Sequence, residues 1–283
     1  MMAQSYLLIG HMTADLTPEG NRRLGGTVSY AARVADAFGL HVRLLTSTAH
    51  NEPLLAELVP YVDEQHIISA EATSTFENIY DDHGHRTQYI RGVAAPIGVG
   101  DVPEAWLTTP LVHLAPLTGE VDPALAHVFK EATVLLTLQG WLRQWGADGQ
   151  VYFKRWFDPD VLQDIDIVVF SEEDVAEAPD LEPAFAGAVD HLFVTRADKG
   201  GTYYHCGQPH QYDTPHPDEV NTTGAGDVFA AAVLSSFHLL NNDMQAVSKV
   251  AAMLGATAIT RPWLDGAPTP DEVQQALRMV EQV

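Results

Sequence analysis

The residues best suited to chemistry lie in the segment 221–229, which reads NTTGAGDVF. Gly224 and Gly226 permit a tight bend that turns successive N–H groups toward one point, and the helical pattern that follows adds the positive end of a dipole. Such a turn suits an anion. Because a carboxylate at Asp227 would repel that anion, this residue is better suited to act as a base that takes a proton during phosphoryl transfer. A capped helix start has the same composition, and the segment alone leaves both interpretations open.

Two common nucleotide-binding motifs are absent from the sequence. Each of the four lysines is preceded by a residue other than Gly, so there is no Gly-Lys-Ser/Thr phosphate loop. No GxGxxG run follows a predicted strand, which argues against a dinucleotide-binding fold. The turn at 224–227 is therefore the best candidate for a phosphate site.

Polar side chains also follow two of the predicted strands. Thr195 ends one strand and could donate its hydroxyl to a phosphate, with Arg196 or Lys199 supplying charge. A plain strand-to-hairpin turn has the same pattern. Gln139 and Arg143 follow another strand, at the edge where open α/β sheets bind ligands, so both are candidates for a substrate pocket.

Composition limits the possible partners. The chain has 283 residues, of which 46% are hydrophobic, enough for one large α/β domain with helices on both sides of a sheet. Its 38 acidic and 15 basic residues give a net charge of −23, which argues against nucleic acid or an anionic membrane as the main partner. A phosphate must therefore be held locally by backbone amides, a few cations and a divalent metal ion.

The cysteine content and the N-terminal segment indicate a location. Cys206 is the only cysteine, so no internal disulfide can form and a reducing cytoplasm is expected. Residues 1–12 have neither the basic start of a signal peptide nor an apolar run long enough to span a membrane. We therefore expect a cytoplasmic protein without membrane association.

Apolar runs alternate with helical patterns along the chain, which predicts a parallel sheet with right-handed crossovers. The runs that predict buried strands are 6–10, 42–47, 111–115, 134–138, 165–170 and 192–195. The patterns that predict helices are 27–38, 53–59, 121–130, 228–240 and 243–259. A hairpin is expected over 201–212, and 74–90 alternates like two exposed strands joined by a turn at 81–84.

The segment 221–227 closely resembles the second motif of the ribokinase family, also called the PfkB family of sugar and nucleoside kinases, which reads Asp-Thr-x-Gly-Ala-Gly-Asp. Asn221 stands where the family has Asp. The segment 25–39 is similar to the first motif of the family, but Tyr30 occupies the position of an Asn that contacts a sugar hydroxyl. This form of the first motif, and the run QGWLR at 139–143, resemble the branch that includes inositol kinases.

The resemblance extends from Gly10 to about Ala267 and implies the fold. A ribokinase-like three-layer α/β/α sandwich is expected, with a mostly parallel central sheet and a small β lid. Residues 1–283 would form a single kinase domain with the lid inserted at about 72–92. In the family this lid covers the sugar and can mediate dimerisation, so a homodimer through the lid and an isolated flap are both compatible with the sequence.

The resemblance also implies roles on the catalytic and substrate side. Asp227 is expected to act as the base, and the amides of Gly224, Ala225 and Gly226 to hold the negative charge of the transferring phosphoryl group. Asp15 matches a position that binds substrate hydroxyls, and the glycines of the first motif would let a substrate approach the backbone. The residues expected to bind substrate are Asp15, Gly25, Gly26, Tyr30, Gln139 and Arg143.

On the nucleotide side, 195–201 resembles the Thr-x-Gly-x-x-Gly segment of the family, with Ala197 in place of the first Gly. The segment 171–174 stands where the family has Asn-x-x-Glu, which organises Mg²⁺ through water, although an acidic helix N-terminus would look the same. The residues expected to bind the nucleotide are Thr195, Arg196, Lys199, Gly200 and Ala252, the last of which could equally serve close helix packing. The residues expected to act on the metal through water are Asp174 and Asn221.

Together these features predict an ATP- and Mg²⁺-dependent phosphotransferase that acts on a hydroxyl of a small sugar, cyclic polyol or nucleoside. Asn221 removes one negative charge from the metal and phosphate network while keeping a hydrogen-bonding oxygen. This change leaves an alternative, a non-catalytic ligand-binding or regulatory protein on a kinase scaffold. Asp227 and the complete GAGD turn argue against the alternative, because a sensor has no need of a base.

Overall fold

The apolar runs of the chain form a central sheet, and other strands build two smaller sheets. The computed structural model describes residues 3–17, 19–80 and 86–281. The strands are β1 (Ser5–Ile9), β2 (Thr13–Leu16), β3 (Arg22–Gly25), β4 (His41–Ala49), β5 (Glu64–Ala70), β6 (Thr75–Tyr80), β7 (Arg86–Gly92), β8 (Leu111–Leu114), β9 (Thr133–Thr137), β10 (Arg143–Trp145), β11 (Val151–Phe153), β12 (Ile167–Ser171), β13 (His191–Thr195), β14 (Gly201–His205) and β15 (Gln208–Tyr212). The α-helices are α1 (Thr27–Ala37), α2 (Pro159–Leu162), α3 (Leu181–Ala186), α4 (Ala225–Phe237), α5 (Met244–Ala258) and α6 (Pro270–Glu281).

The central sheet has the strand order β15-β14-β13-β12-β9-β8-β1-β4-β5. Neighbouring strands from β13 to β5 pair in parallel, and β14 and β15 add an antiparallel hairpin at one edge. Tyr6 of β1 lies opposite Val42 of β4 and Leu111 of β8. The predicted parallel sheet and the hairpin are therefore confirmed, and burial of the inner strands on both faces explains their continuous apolar runs.

Two apolar cores flank the central sheet, because successive side chains of a strand point to opposite faces. Tyr6 and Leu8 belong to the core that contains α1, α4, α5 and α6. Leu7 and Ile9 belong to the other core, which contains the short helices α2 and α3. The expected three-layer α/β/α sandwich is confirmed.

A second sheet has four strands in the order β3-β2-β6-β7. Strands β6 and β7 fall within 72–92, while β2 and β3 come from the segment before α1, so the small sheet draws on two parts of the chain. The N–H of Ile90 in β7 donates to the carbonyl of Gly149 at 2.8 Å, which joins this sheet to the β10–β11 hairpin. The turn predicted at 81–84 lies outside the described residues.

Some elements differ from the predictions. The helices predicted over 53–59 and 121–130 are shorter 3₁₀ turns, Pro53–Glu57 and Pro123–Val128. Pro60 helps to end the first, because proline has no N–H to continue a helix. Strand β5 and helix α6 were not predicted. Helix α4 begins at Ala225, so Gly224 caps it and Ala225, Gly226 and Asp227 lie in its first turn. No helix in the described part of the chain is both long and apolar enough to cross a membrane.

Candidate active site

A cleft of about 690 Å³ opens at the carboxyl ends of the parallel strands, the usual ligand position in open α/β sheets. Thr137, Ser171 and Thr195, which end β9, β12 and β13, line it. The small sheet and the first turn of α4 supply other parts of its wall. Of the residues predicted from the sequence, those in the lining are Asp15, Gly26, Tyr30, Gln139, Arg143, Asp174, Thr195, Gly200, Gly224, Ala225, Gly226, Asp227 and Ala252.

The GAGD turn presents unpaired backbone donors to this cleft. Gly224 has a φ of 86°, and a Cβ there would lie 2.1 Å from the ring of Tyr30, so only glycine fits. Its carbonyl accepts from the N–H of Val228 at 2.8 Å. Within the described part of the chain, the N–H groups of Gly224, Gly226 and Asp227 have no hydrogen-bond acceptor. These donors and the dipole of α4 form a suitable site for an anion.

Asp227 lies at this turn and is positioned by a hydroxyl from another element. The hydroxyl of Thr27, at the start of α1, donates to Oδ1 of Asp227 at 2.7 Å. Burial raises the pKa of Asp227 to about 6, and the nearby Asp174 and Asp15 also raise it, while Thr27 and Arg143 lower it. The carboxylate is therefore mostly ionised at neutral pH and still basic enough to accept a proton.

Asp15 brings a second carboxylate to the same cleft from strand β2. The hydroxyl of Thr13 donates to its Oδ1 at 3.1 Å, and burial raises its pKa to about 6 against the lowering effect of that bond and of Arg143. A Cβ on Gly25 would lie 2.3 Å from Oδ2 of Asp15. Gly25 does not line the cleft. The space that its missing side chain leaves is occupied by the carboxylate of Asp15.

Arg143, the first residue of β10, brings a positive charge to the same cleft. Among the described residues that line the cleft it is the sole Arg or Lys. Its guanidinium donates to the carbonyl of Leu117 at 3.4 Å and lies 5.5 Å from the ring centre of Phe76. Because it lowers the pKa of both Asp15 and Asp227, it compensates part of the negative charge on the substrate side.

Gln139 and Asp174 form a polar cluster at the ends of β9 and β12. The side-chain amide of Gln139 donates to Oδ1 of Asp174 at 3.1 Å. Oδ2 of Asp174 accepts from the N–H of Ser171 at 2.9 Å, and the Ser171 hydroxyl accepts from the N–H of Asp174 at 3.2 Å. The side chains of the segment 171–174 thus hold a carboxylate at the cleft, within a capped turn.

The structure does not bring Arg196 and Lys199 to the cleft. Arg196 donates to Glu172 at 3.0 Å and also pairs with Glu182, and Lys199 is 73% exposed and 3.6 Å from Glu172. Gly200 has a φ of 76°, as the turn requires. Ala197 has a φ of 49°, a left-handed conformation that explains why Gly suits this position in the related motif.

Asn221 also lies outside the cleft lining. Its side-chain oxygen accepts from the N–H of Thr223 at 3.0 Å, and its N–H donates to the carbonyl of Ile259 at 3.1 Å. It therefore orders the backbone that leads into the GAGD turn. Asp in this place could accept the same hydrogen bond, so the substitution preserves the local geometry.

Several cleft residues were missed from the sequence. Thr27 could have been noticed, because it directly follows the two glycines of the first motif. Asn78 and Gln88 of the small sheet gave no signal, since polar residues are usual in exposed strands. Among the described residues, no group of three His, Cys, Asp or Glu side chains could hold a metal ion. The acidic residues that line the cleft are Asp15, Glu172, Glu173, Asp174, Asp198, Glu219 and Asp227.

Sequence comparison finds kinases that are similar to this chain. A model of the pfkB family carbohydrate kinases matches residues 162–270. A fructokinase from Klebsiella pneumoniae is 25% identical over 318 aligned positions, which cover 95% of this chain and 98% of that protein. A 2-dehydro-3-deoxygalactonokinase from Haloferax volcanii is 28% identical over 182 positions, so the match spans 57% of this chain and 56% of that relative.

Solved structures have the same fold. A sulfate complex of a pyrophosphate-dependent kinase in the ribokinase family superimposes with a TM-score of 0.78 at 19% identity, covering 95% of this chain and 99% of the other. Ribokinase from Thermotoga maritima superimposes with a TM-score of 0.75 at 17% identity, covering 97% and 99%. At these identities the likeness concerns the fold alone. Over residues 162–270 the chain thus matches the pfkB family of carbohydrate kinases, and the fructokinase that it resembles along nearly its whole length acts, by its name, on a sugar.

Proposed function

We propose that the protein transfers the terminal phosphoryl group of ATP to a hydroxyl of a small sugar, cyclic polyol of the inositol type, or nucleoside. One observation carries this proposal. Asp227, with a pKa of about 6, lies in the first turn of α4 beside backbone N–H groups that have no acceptor in the described part of the chain. A base next to an anion hole is the arrangement that phosphoryl transfer to an alcohol needs.

In this mechanism the acceptor hydroxyl donates its proton to the Asp227 carboxylate while its oxygen attacks the terminal phosphorus of ATP. The bond from that phosphorus to the bridging oxygen breaks, and its electron pair leaves with ADP. The hydrogen bond from Thr27 keeps one carboxylate oxygen occupied, so the other is directed to the acceptor. The N–H groups of Gly224 and Gly226 stabilise the charge on the phosphoryl oxygens. The N–H of Ala225, which was expected to join them, already donates to the carbonyl of Thr222 at 3.3 Å. Asp15 and Arg143 hold the rest of the acceptor.

The far end of the cleft favours a nucleotide as the donor. Part of the lining is apolar, formed by Pro215, Pro217, Ala252 and Ile259, with the polar His216 and Glu219 among them. Such a surface suits a purine ring, which pyrophosphate lacks. The Thr214 hydroxyl donates to the carbonyl of Ala252 at 3.5 Å and closes this end against α5. Since one similar structure is of a pyrophosphate-dependent kinase, pyrophosphate belongs in the test.

The residues at the cleft fit a Mg²⁺ ion brought with the nucleotide. Asp174 and Glu173 offer carboxylate oxygens, the ligands that this hard cation prefers, and Asp174 would act through water. Asn221 would act only indirectly, through the backbone that it orders. When bound, the ion would supply positive charge that a single arginine cannot provide for a triphosphate.

A homodimer through the small sheet stays a prediction, which sedimentation velocity would test.

The test is phosphoryl transfer by the purified protein, with Mg²⁺ and either ATP or pyrophosphate, to a panel of myo-inositol, D-fructose, D-ribose, 2-dehydro-3-deoxygalactonate and adenosine. We expect ADP release that depends on one class of acceptor and that is abolished in the Asp227→Asn variant. Binding of a panel member without turnover of either donor would support the non-catalytic alternative. Turnover with pyrophosphate alone would overturn the choice of donor but not the reaction.

A further inference from the structure

A second cavity of about 410 Å³ lies beside the cleft, and the reaction described so far does not use it. It is bounded by β7, by the β10–β11 hairpin and by the segment 171–177, which starts at the end of β12. Several residues line both spaces, so the two adjoin each other: Gln88, Gln139, Arg143, Ser171, Glu173 and Asp174. The volume of the second cavity falls within the range of small-molecule sites.

The second cavity lies at the acceptor end of the cleft. It shares with the cleft Gln139 and Arg143, which are candidates for holding the acceptor. Ala252 and Ile259, in the part of the cleft assigned to the donor, do not line it, and neither does Asp227. A group that reaches the second cavity must therefore extend from the acceptor, on a side away from the hydroxyl that is phosphorylated.

The wall of the second cavity offers unused hydrogen-bond acceptors. The side-chain amide of Gln88 donates to a side chain of β6 at 3.0 Å, and that of Gln139 donates to Asp174 at 3.1 Å. The oxygen of each amide is left without a donor among the described residues. Glu173 and Glu177 add carboxylates that form no hydrogen bond or ion pair with the rest of the described chain. Because a carboxylate only accepts, a group bound here must donate hydrogen bonds.

The charge of the second cavity narrows the class of that group. Glu173, Asp174 and Glu177 line it, and Arg143 is the sole Arg or Lys among its described lining residues. A phosphate or carboxylate substituent would therefore be repelled. Tyr152 adds an aromatic side chain to the wall. A sugar ring fits these features, because it has hydroxyl donors, no charge and C–H groups that can pack on an aromatic ring.

We propose that the second cavity is a subsite for a second hydroxyl-bearing ring, joined to the acceptor by a glycosidic bond. For the identity of the acceptor, this inference rests on the proposed kinase function. It narrows the acceptor to a compound of two rings. One ring is phosphorylated beside Asp227, and the other lies between the β10–β11 hairpin and Glu177.

Substitutions at one position separate the second cavity from the cleft. Glu177 is exposed, lines the second cavity and does not line the cleft. Glu177→Trp places a bulky ring at the wall, and Glu177→Ala removes one acceptor without adding bulk. Ala176, its exposed neighbour in the same turn, lines neither space, so Ala176→Trp is the matched control.

The experiment compares single-ring acceptors with their glycosides, in the wild type and in the variants. The pairs are myo-inositol with its galactoside galactinol, and D-fructose with its glucosides turanose and leucrose, which differ in linkage. Steady-state assays with Mg²⁺ and the active donor give kcat/KM, and calorimetric titration of the same compounds gives Kd without turnover.

We expect at least one glycoside to exceed its parent compound by about tenfold or more in kcat/KM with the wild type, as for a few added hydrogen bonds. Glu177→Trp should remove this advantage and leave kcat/KM for the parent within about threefold of the wild type. Glu177→Ala should reduce the advantage about threefold, and it carries the test if Glu177→Trp does not fold. Ala176→Trp should leave the advantage unchanged.

A weaker reaction of every glycoside than of its parent, with the wild type, would overturn the inference and leave the proposed function intact. An advantage that survives in Glu177→Trp, or that Ala176→Trp removes equally, would do the same, since the second ring would then lie elsewhere. Turnover of adenosine with none of the glycosides would also overturn the subsite. Tighter binding of a glycoside than of its parent, without any turnover, would support the subsite and overturn the proposed function.

Discussion

Replacement of Asp227 by Asn keeps the shape of the side chain and removes its charge, so it separates the role of the base from folding. Asn can still accept the hydrogen bond from Thr27 through its side-chain oxygen. It cannot take a proton from an acceptor hydroxyl. General-base catalysis contributes roughly 10²- to 10⁴-fold, so we expect kcat to fall by about that factor. The acceptor KM should change far less.

The structure also predicts the effect of this substitution on stability. The pKa of Asp227 is raised from 3.8 to about 6, which means that the folded protein disfavours the ionised form. A shift of about two units corresponds to about 3 kcal/mol, and partial access to solvent reduces this to about 1–2 kcal/mol. The sign follows from the raised pKa of an acid: the penalty is complete above about pH 7, decreases as the pH falls through about 6, and is absent only well below the unfolded pKa of 3.8. Asp227→Asn should therefore be more stable than the wild type at pH 7.5, and most of this gain should be lost at pH 4.

Two assays on the same preparations check both effects. Coupled ADP release gives kcat and KM, and urea unfolding at pH 7.5 and pH 4 gives the free energy of unfolding. A kcat within about tenfold of the wild type would refute the base role, since that loss is below the range for general-base catalysis. A variant that is less stable than the wild type at pH 7.5 would refute the reasoning on burial.

Other predictions concern the pH profile and the turns. Because both Asp15 and Asp227 titrate at about 6, kcat/KM should fall as the pH decreases below about 6, and a flat profile between pH 5 and 8 would contradict this. Gly224→Ala should lower the free energy of unfolding in urea by at least about 1–2 kcal/mol, since φ is positive and the Tyr30 ring fills the space. Gly226→Ala, whose Cβ would meet no atom within 4 Å, is its control, and equal losses would argue against the packing explanation. Ala197→Gly should raise the free energy of unfolding by about 0.5–1 kcal/mol, because glycine relieves the left-handed conformation at φ 49°, and thermal melting that moves downward would contradict it.

Some of the candidate site could be predicted because its signals are local. The GAGD turn is read from four consecutive residues, and their conformation depends mainly on the glycines. The roles of Arg196 and Lys199 could not be read in the same way. Their position after a strand suggested contact with phosphate, but the side chains reach glutamates that lie elsewhere in the sequence, such as Glu172. The acidic residue that pairs with a long, flexible cationic side chain is set by the tertiary structure, so the local sequence pattern cannot predict it.

Local patterns were enough to predict a mostly parallel central sheet and the turn at the start of α4, because apolar runs and glycines act over a few residues. The order of the strands and the completion of the cleft depend on contacts between distant parts of the chain. Asp227 receives its hydrogen bond from Thr27, 200 residues earlier in the chain, and Asp15 owes its place to the missing side chain of Gly25. The raised pKa of each carboxylate is a property of burial, and burial depends on packing between elements that no short segment contains.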